Sequence, residues 1–368
     1  MLERAAIALD RIAGGRPARS FILYGLRGTG KTVLLGQIRQ DAERRGLQAV
    51  RLEAPEGRSL PALLAPSLRA MLLKLDRMES AKAGAQKALR ALASFAKLKL
   101  SFHDIEVTID AEPEKGLADS GDLELDLTEL FTTIGEAARE RGTAVVLAVD
   151  ELQYVKEAEL AALISALHAV AQAQLPMAMV AAGLPQLLGR MGRAKSYAER
   201  LFEYVQVGAL DPGAARNALV IPIEREGEEI EKAAVDAIVH QTQGYPYFLQ
   251  EWGKHAWDLA FCSPITLQDV ANATVTAVAE LDSSFFRVRY DRLTPAEKRY
   301  MRAMAELGPG PHRSGDIAEL LGKQVTQLAP IRNSLIKKGM LHSPAHGDTA
   351  FTVPMFDSFM KRIMPERG

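Results

Sequence analysis

Two short stretches hold the residue types from which phosphate chemistry is made. Gly25-Leu26-Arg27-Gly28-Thr29-Gly30-Lys31-Thr32 fits the pattern G-x-x-x-x-G-K-[ST], a loop whose backbone N–H groups curl around phosphate oxygens. In such a loop Lys31 reaches the β- and γ-phosphates and the Thr32 hydroxyl ligates Mg²⁺. The second stretch is Ala144-Val145-Val146-Leu147-Ala148-Val149-Asp150-Glu151, an apolar run that ends in two carboxylates. Asp150 is placed to hold Mg²⁺, and Glu151 to polarise an attacking water, because hydrolysis needs an in-line nucleophile with a carboxylate beside it. The expected nucleotide contacts are Gly25, Arg27, Gly28, Thr29 and Gly30 in the loop, with Lys31, Thr32 and Val33 at the helix that follows. Lys31 and Glu151 carry the expected catalytic roles, and Thr32 and Asp150 the metal.

These residues need a strand, a loop and a helix to hold them. Phe21-Ile22-Leu23-Tyr24 is a β-prone apolar run, and the residues from Val33 onward open a helix that reaches about Arg45 and stops at Gly46. The loop then sits at a helix N-terminus, where the positive end of the dipole favours phosphate. Residues 144–151 read as a buried parallel strand, since an unbroken apolar run has both faces covered. Gln48–Glu53, Leu175–Ala182 and Tyr204–Val207 supply further strands. Helical spacing recurs over Leu2–Ile12, Leu60–Met78, Asp126–Arg141 and Leu160–Ala173. His168, on the last of these, has no second histidine or carboxylate at metal spacing and reads as a packing or surface residue. Strands alternating with helices give an α/β layer of five parallel strands, with nucleotide at their carboxyl ends.

Composition narrows the class. A chain of 368 residues suggests two or three domains, and 48% hydrophobic with 25% charged residues is ordinary for a globular protein. The net charge of −1 argues against a general polyanion binder, and the single Cys262 excludes a disulfide framework or a cysteine-rich metal site. No secretory pattern opens the chain and no apolar stretch is long enough to span a membrane, so a cytoplasmic protein is expected.

Residues 79–122 stand apart. Ser80–Lys97 is a lysine-bearing helix rich in small residues. Leu98, Leu100 and Phe102, then Ile105, Val107 and Ile109, alternate as a hairpin would, and 112–121 is an acidic loop. The segment reads as an insertion in the sheet domain, either a site for a protein partner or a surface elaboration.

A phosphate loop followed by Asp-Glu resembles the AAA+ ATPases. Ser196-Tyr197-Ala198-Glu199-Arg200-Leu201-Phe202, with Leu210-Asp211-Pro212 beyond it, is similar to the segment that carries the arginine finger in initiator-type members. That likeness makes Arg200 a candidate finger toward a γ-phosphate on a neighbouring subunit, with a plain surface arginine as the alternative. Gly244-Tyr245-Pro246 resembles the lid signature of STAND and related archaeal-type ATPases, which places Pro246 near nucleotide. The pattern departs from the wider family at two points. No arginine opens the lid helix at the sensor 2 position, and Gly183 stands where sensor 1 would carry Asn, Ser or Thr. Both departures suit a switch that holds ATP better than they suit a fast motor. The whole chain resembles bacterial ORC-like ATP-binding proteins. Three segments are implied: an AAA+ core over 1–210 with the 79–122 insertion, a helical lid over 211–288, and a winged-helix domain over 289–368.

The last segment has its own signals. Leu293-Thr294-Pro295-Ala296-Glu297 is a complete capping box with proline at the first helical position. Helices follow to about Leu307, from Ser314 to Leu321, and from Thr326 to Lys338, with Pro330 placed in or near the first turn of the third. Met340–His342 and Phe351–Val353 read as a paired wing before a helix over Pro354–Ile363. Thirteen Lys and Arg stand against eight Asp and Glu in 289–368. Lys323, Arg332, Lys337 and Lys338 gather at the third helix, the one that would read duplex DNA. Protein contact or lid packing is the other reading of the module.

The leading expectation is an ATP- and Mg²⁺-dependent switch. ATP closes the lid, repositions the winged helix and joins subunits through Arg200. A DNA-directed initiator or transposition-type ATPase and a STAND-like protein scaffold are the alternatives. No Asn-Lys-x-Asp guanine motif is present.

Overall fold

The computed structural model describes residues 1–16, 18–76, 82–99, 111–345 and 347–365. It divides into two compact units, Met1–Gly25 with Lys31–Gln206, and Leu26–Gly30 with Val207–Gly368. The loop that joins the first strand to its helix therefore changes unit along its own length.

The first unit opens with α1 (Leu2–Ala13), which buries Ala5, Ala8, Leu9 and Ile12 on one face. β1 (Ser20–Tyr24), α2 (Lys31–Arg44) and β2 (Gln48–Glu53) follow. After α3 (Leu60–Asp76) come α4 (Lys82–Lys99) and α5 (Leu123–Glu140), and then β3 (Val145–Asp150). α6 (Glu157–Gln172), β4 (Met177–Gly183), α7 (Leu187–Ala194), α8 (Ala198–Leu201) and β5 (Phe202–Gln206) complete it. The five strands form one parallel sheet in the order β2-β3-β4-β1-β5. β3 and β4 are buried along their whole length, as the unbroken apolar runs required, whereas β2 at the edge alternates buried and exposed residues at its end. The predicted parallel α/β layer is present, flanked by helices.

The insertion is not a surface elaboration over its first half. Ala88, Leu92 and Phe95 of α4 are fully buried, and α4 packs between α3 and α5 within the first core. The acidic loop after it is tied down as well. Asp126 accepts hydrogen bonds from Ser120 N and Oγ at 2.8 and 2.7 Å and from Gly121 N at 3.2 Å. A buried carboxylate needs such donors to offset its lost hydration. The expected hairpin at 98–109 falls outside the described residues, apart from the end of α4.

The second unit is mainly helical. α9 (Pro212–Arg225), α10 (Lys232–Thr242), α11 (Pro246–Leu259) and α12 (Leu267–Leu281) lead through a turn of π-helix at Asp282–Phe286 into α13 (Arg287–Asp291). Then come α14 (Pro295–Glu306), β6 (His312–Arg313), α15 (Ser314–Leu320) and α16 (Val325–Lys337). β7 (Leu341–His342), β8 (Asp348–Phe351) and α17 (Phe356–Ile363) close the chain. The capping box forms, with Glu297 N donating to Thr294 Oγ1 and Thr294 N donating to Glu297. One apolar core runs from Ala215 to Met360, so the expected boundary at 288/289 does not separate two cores. Phe286 lies 5.2 Å from Phe359, 5.5 Å from Phe356 and 6.2 Å from Phe248, which joins segments more than a hundred residues apart.

Two local expectations shift, and one short strand is added. The hairpin pairs Leu341 with Phe351 and His342 with Ala350, so its second strand lies earlier than Phe351–Val353. β8 also pairs antiparallel with β6 on its other side, a strand too short for any periodicity to mark. Pro330 lies inside α16, past its first turn.

Candidate nucleotide site

Within the sheet order, β4 separates β1 from β3, so the carboxyl ends of the two motif-bearing strands stand two strand spacings apart, about 10 Å. α2 closes that gap. Thr32, in its first turn, donates from Oγ1 to Asp150 Oδ2 at 2.7 Å. The second oxygen, Asp150 Oδ1, accepts from Glu151 N at 2.9 Å. Asp150 is 8% exposed, and its two oxygens are engaged by a hydroxyl and a backbone N–H. A hydroxyl and a carboxylate of this kind are hard oxygen donors of the type Mg²⁺ takes.

The phosphate loop is folded to cradle an anion. Gly25 N donates to Gly183 O at 3.2 Å, fixing the loop's start on β4. Lys31 is buried and its amine donates to Gly25 O at 3.0 Å, a bond that a phosphate oxygen can replace. Thr29 Oγ1 closes the turn onto Leu26 O at 3.0 Å. Gly28 and Gly30 have φ of +80° and +88°, a region that costs side-chain-bearing residues about 1–2 kcal/mol. At Gly28 space is short too, since a Cβ would come within 3.0 Å of Tyr247 Cβ and 3.1 Å of the Tyr245 ring. Arg27 is half-buried in the same arch, while Val33 is 60% exposed on α2.

Glu151 follows β3 in the left-handed region, at φ 55° and ψ 35°. A non-glycine residue held there marks a place where surrounding structure enforces the geometry. The enforcing residue is Gln153, 3% exposed, whose amide Nε2 donates to the Glu151 carboxylate. Its Oε1 accepts from Leu184 N at 3.0 Å, just past the end of β4. Arg190 pins the same turn by donating to Gln153 O and, at 2.6 Å, to Val155 O. This explains Gly183, where a Cβ would lie 2.8 Å from Gln153 Oε1. The glutamine occupies the space that a sensor 1 side chain would need. Sequence reasoning passed over Gln153, and its one signal is an amide side chain two positions beyond the acid pair.

The other expected residues lie farther out. Arg200 is exposed on the four-residue α8, immediately before β5. That is the amino end of a parallel strand, opposite to the edge where the phosphate loop emerges. It is not brought to the loop of its own chain. His168 packs its ring on Tyr197 at 4.8 Å, as a packing residue does.

In the second unit, Pro246 is the first residue of α11, and Tyr247 N donates to Gly28 O at 3.2 Å. The Tyr245 hydroxyl is buried beside Gly28 with no hydrogen-bond partner. Burial pushes its pKa up, and the charges of Arg289 and Arg27 pull it partway back. An orphaned phenol and two guanidinium groups around a glycine arch fit a polyanionic nucleotide. No arginine lies in the first turn of α11, but Arg289 approaches from α13. Its guanidinium lies 3.8 Å from the Phe285 ring centroid and donates to Phe285 O at 2.5 Å. Phe285 in turn stacks on Tyr247 at 4.7 Å. Nothing in the sequence links position 289 to position 27.

The candidate duplex-DNA contacts divide. Arg332 donates to Thr349 Oγ1 at 2.8 Å and to Ser343 Oγ and Asp348 O at 2.9 Å. Lys338 donates to Glu297 at 2.6 Å and to Arg292 O at 3.0 Å. Both tie parts of the module together through these bonds. Lys323 and Lys337 are exposed.

Residues 1–180 match the family described as an AAA ATPase domain. Residues 283–360 match a domain of unknown function, DUF8462. The Walker-type ATPase PABY2304 of Pyrococcus abyssi is similar in structure, with a TM-score of 0.63 at 16% identity over 98% of this chain and 95% of that one. The ORC2 protein of Aeropyrum pernix in its ADP form gives 0.53 at 13% identity over 99% and 94%. At such identities the likeness is one of fold. No curated protein matches the chain in sequence, and no described helix is long and apolar enough to cross a membrane. By its phosphate loop, its sheet order and its family match, the first half of this chain is an AAA ATPase domain.

Proposed function

We propose that the protein is an ATP-binding AAA+ switch that hydrolyses ATP slowly and passes its nucleotide state to the helical second unit. The observation that carries this is the Thr32–Asp150 hydrogen bond of 2.7 Å, with Lys31 on the loop carbonyl beside it. Lys31 and the loop N–H groups would hold the phosphates, and Thr32 with Asp150 would hold Mg²⁺, which when bound offsets charge on the phosphate oxygens. Glu151, oriented by Gln153, would accept a proton from the attacking water. A Cβ at Gly183 would lie 2.8 Å from Gln153 Oε1, so no sensor 1 side chain fits there, which supports slow turnover. Tyr247 N on Gly28 O supports the coupling, since any movement of the arch is felt by the first turn of α11. Three helices with a short antiparallel sheet support a winged-helix reading of 289–365. Arg200, exposed at the far edge of the sheet, suits a contact with the nucleotide of a second copy and none with its own.

Lys31→Ala should weaken ATP binding by about 10²-fold or more, since it removes a charge-assisted contact in a buried site. Glu151→Gln should keep binding and lower turnover by about 10²–10⁴-fold. Calorimetry and phosphate release measure the two. Normal hydrolysis by Glu151→Gln would remove the assigned role. Arg200→Ala should leave binding unchanged and prevent any ATP-dependent rise in mass seen by light scattering with a slowly hydrolysed analogue.

A further inference from the structure

In the second unit, three side chains to which the nucleotide site gives no role converge between two helices. Glu251 and His255 are one turn apart on α11 and share a face. Glu280 reaches them from the last turn of α12. One ligand atom from each lies within 4.8 Å of the others. His255 is buried, at 5% exposure, and its Nε2 has no hydrogen-bond partner. The same nitrogen lies 3.0 Å from Glu280 Oε2. The atoms are close enough to bond but are not aligned as donor and acceptor, so they pair only as charges, and only if the imidazole is protonated. A buried imidazole nitrogen with no hydrogen-bond partner, set beside two carboxylates, is a donor set that a shared cation would take.

We propose that Glu251, His255 and Glu280 form a site for a borderline divalent cation of the Zn²⁺ class. Zn²⁺ binds imidazole nitrogen at about 2.0–2.1 Å and carboxylate oxygen at about 2.0–2.2 Å in tetrahedral geometry. Those lengths place neighbouring ligand atoms roughly 3.3 Å apart, close to the separation already present between His255 and Glu280. Glu251 completes the set by a rotation of its side chain. An imidazole with two carboxylates selects Zn²⁺ over Mg²⁺ or Ca²⁺, which prefer all-oxygen shells. Three protein ligands leave a fourth position for water, and Glu280, 47% exposed, opens that position to solvent. The surroundings hold the ligands still. The Tyr247 hydroxyl is hydrogen-bonded to the Glu251 carboxylate, and Trp252 Nε1 donates to Thr274 Oγ1 at 3.0 Å, fixing α11 against α12. Outer partners of this kind orient ligands in metal sites.

The test is a Zn²⁺ titration of the full, nucleotide-free chain against a chromogenic chelator, with Mg²⁺ in excess to occupy hard-oxygen sites. One Zn²⁺ per chain is expected, with affinity falling at least about 10-fold in Glu280→Gln, Glu251→Gln and His255→Gln. His255 is buried, so circular dichroism must show that its variant folds, and the two glutamate variants decide the matter if it does not. Asp150→Asn should leave the stoichiometric Zn²⁺ in place. That variant separates this site from the nucleotide site, whose assignment stands or falls separately. Equal binding by the wild type and both glutamate variants, loss of Zn²⁺ in Asp150→Asn, or no stoichiometric binding at all would each overturn the proposal and leave a His–Glu charge pair.

Discussion

The two units bury different chemistry. The first fills its core with Leu, Ala, Val and Ile from strands and helices, and Phe95, Phe131 and Phe202 are its largest fully buried side chains. The second buries Trp252, Tyr300, Phe248, Phe286, Phe356 and Phe359, in edge-to-face and stacked pairs. An aliphatic core on a parallel sheet is assembled by hydrogen-bonded register, and each strand needs only to be apolar on both faces. An aromatic core has no ladder to align it. Its order comes from ring geometry between residues far apart in the chain. The difference shows where function is anchored: polar side chains at the ends of rigid strands in one unit, and a linked aromatic path behind one loop contact in the other.

The largest effect should come from breaking that aromatic path. Phe286→Ala removes the ring that touches Phe248, Phe356 and Phe359, and is expected to cost about 3–5 kcal/mol. Both tryptophans, Trp252 and Trp257, lie on α11, so their fluorescence reports the second unit alone. Their denaturation midpoint should fall while the far-UV signal keeps a transition at the original midpoint for the sheet unit. A single shifted transition by both probes would show that the units unfold together.

A smaller effect is expected from pH. Burial alone would raise the Glu297 carboxyl, but hydrogen bonds from Lys338, Thr294 N and Ser334 outweigh it and hold the pKa at about 2. A depressed carboxylate contributes its full stability above its unfolded value, near 4.5, and loses it as pH falls toward 2. The tryptophan-monitored stability should therefore drop across that window in the wild type. In Glu297→Gln the drop should be shallower, from a lower starting stability.

Comparison of the polar anchors can be sharpened at Gln153. Gln153→Leu removes the amide that orients Glu151 and leaves Leu184 N without its acceptor. Turnover should fall about 10-fold, equivalent to about 1.4 kcal/mol in the barrier, with ATP affinity unchanged. A loss of affinity in place of turnover would make Gln153 structural. Smallest of all is the expected effect of Lys323→Glu with Lys337→Glu. If the second unit contacts duplex DNA, the slope of log affinity against log salt should weaken by about 2 to 4. Absence of retention on DNA at low salt in the wild type would end that reading.

Much of this molecule was legible in the chain itself because the signals are local. The phosphate loop needs glycines and a lysine at fixed spacing, and the strand before Asp150 needs an unbroken apolar run. The capping box at Thr294–Glu297 needs partners three residues apart. Each is set by backbone geometry within one turn or strand, so sequence alone determined the sheet, the loop and the acid pair. What the tertiary structure decided was non-local. Residues 82–99 read as an insertion, yet Phe95 is core because α3 and α5 leave a groove for it. Arg332 and Lys338 read as candidate duplex-DNA contacts, and each also finds partners that the fold brings from a distant strand or helix. Gln153 and Gly183 acquire meaning only because β3 and β4 are neighbours, and Glu251, His255 and Glu280 only because α11 packs on α12. Spacing along a chain can specify a helix face or a loop, but which faces meet is decided by how the whole core closes.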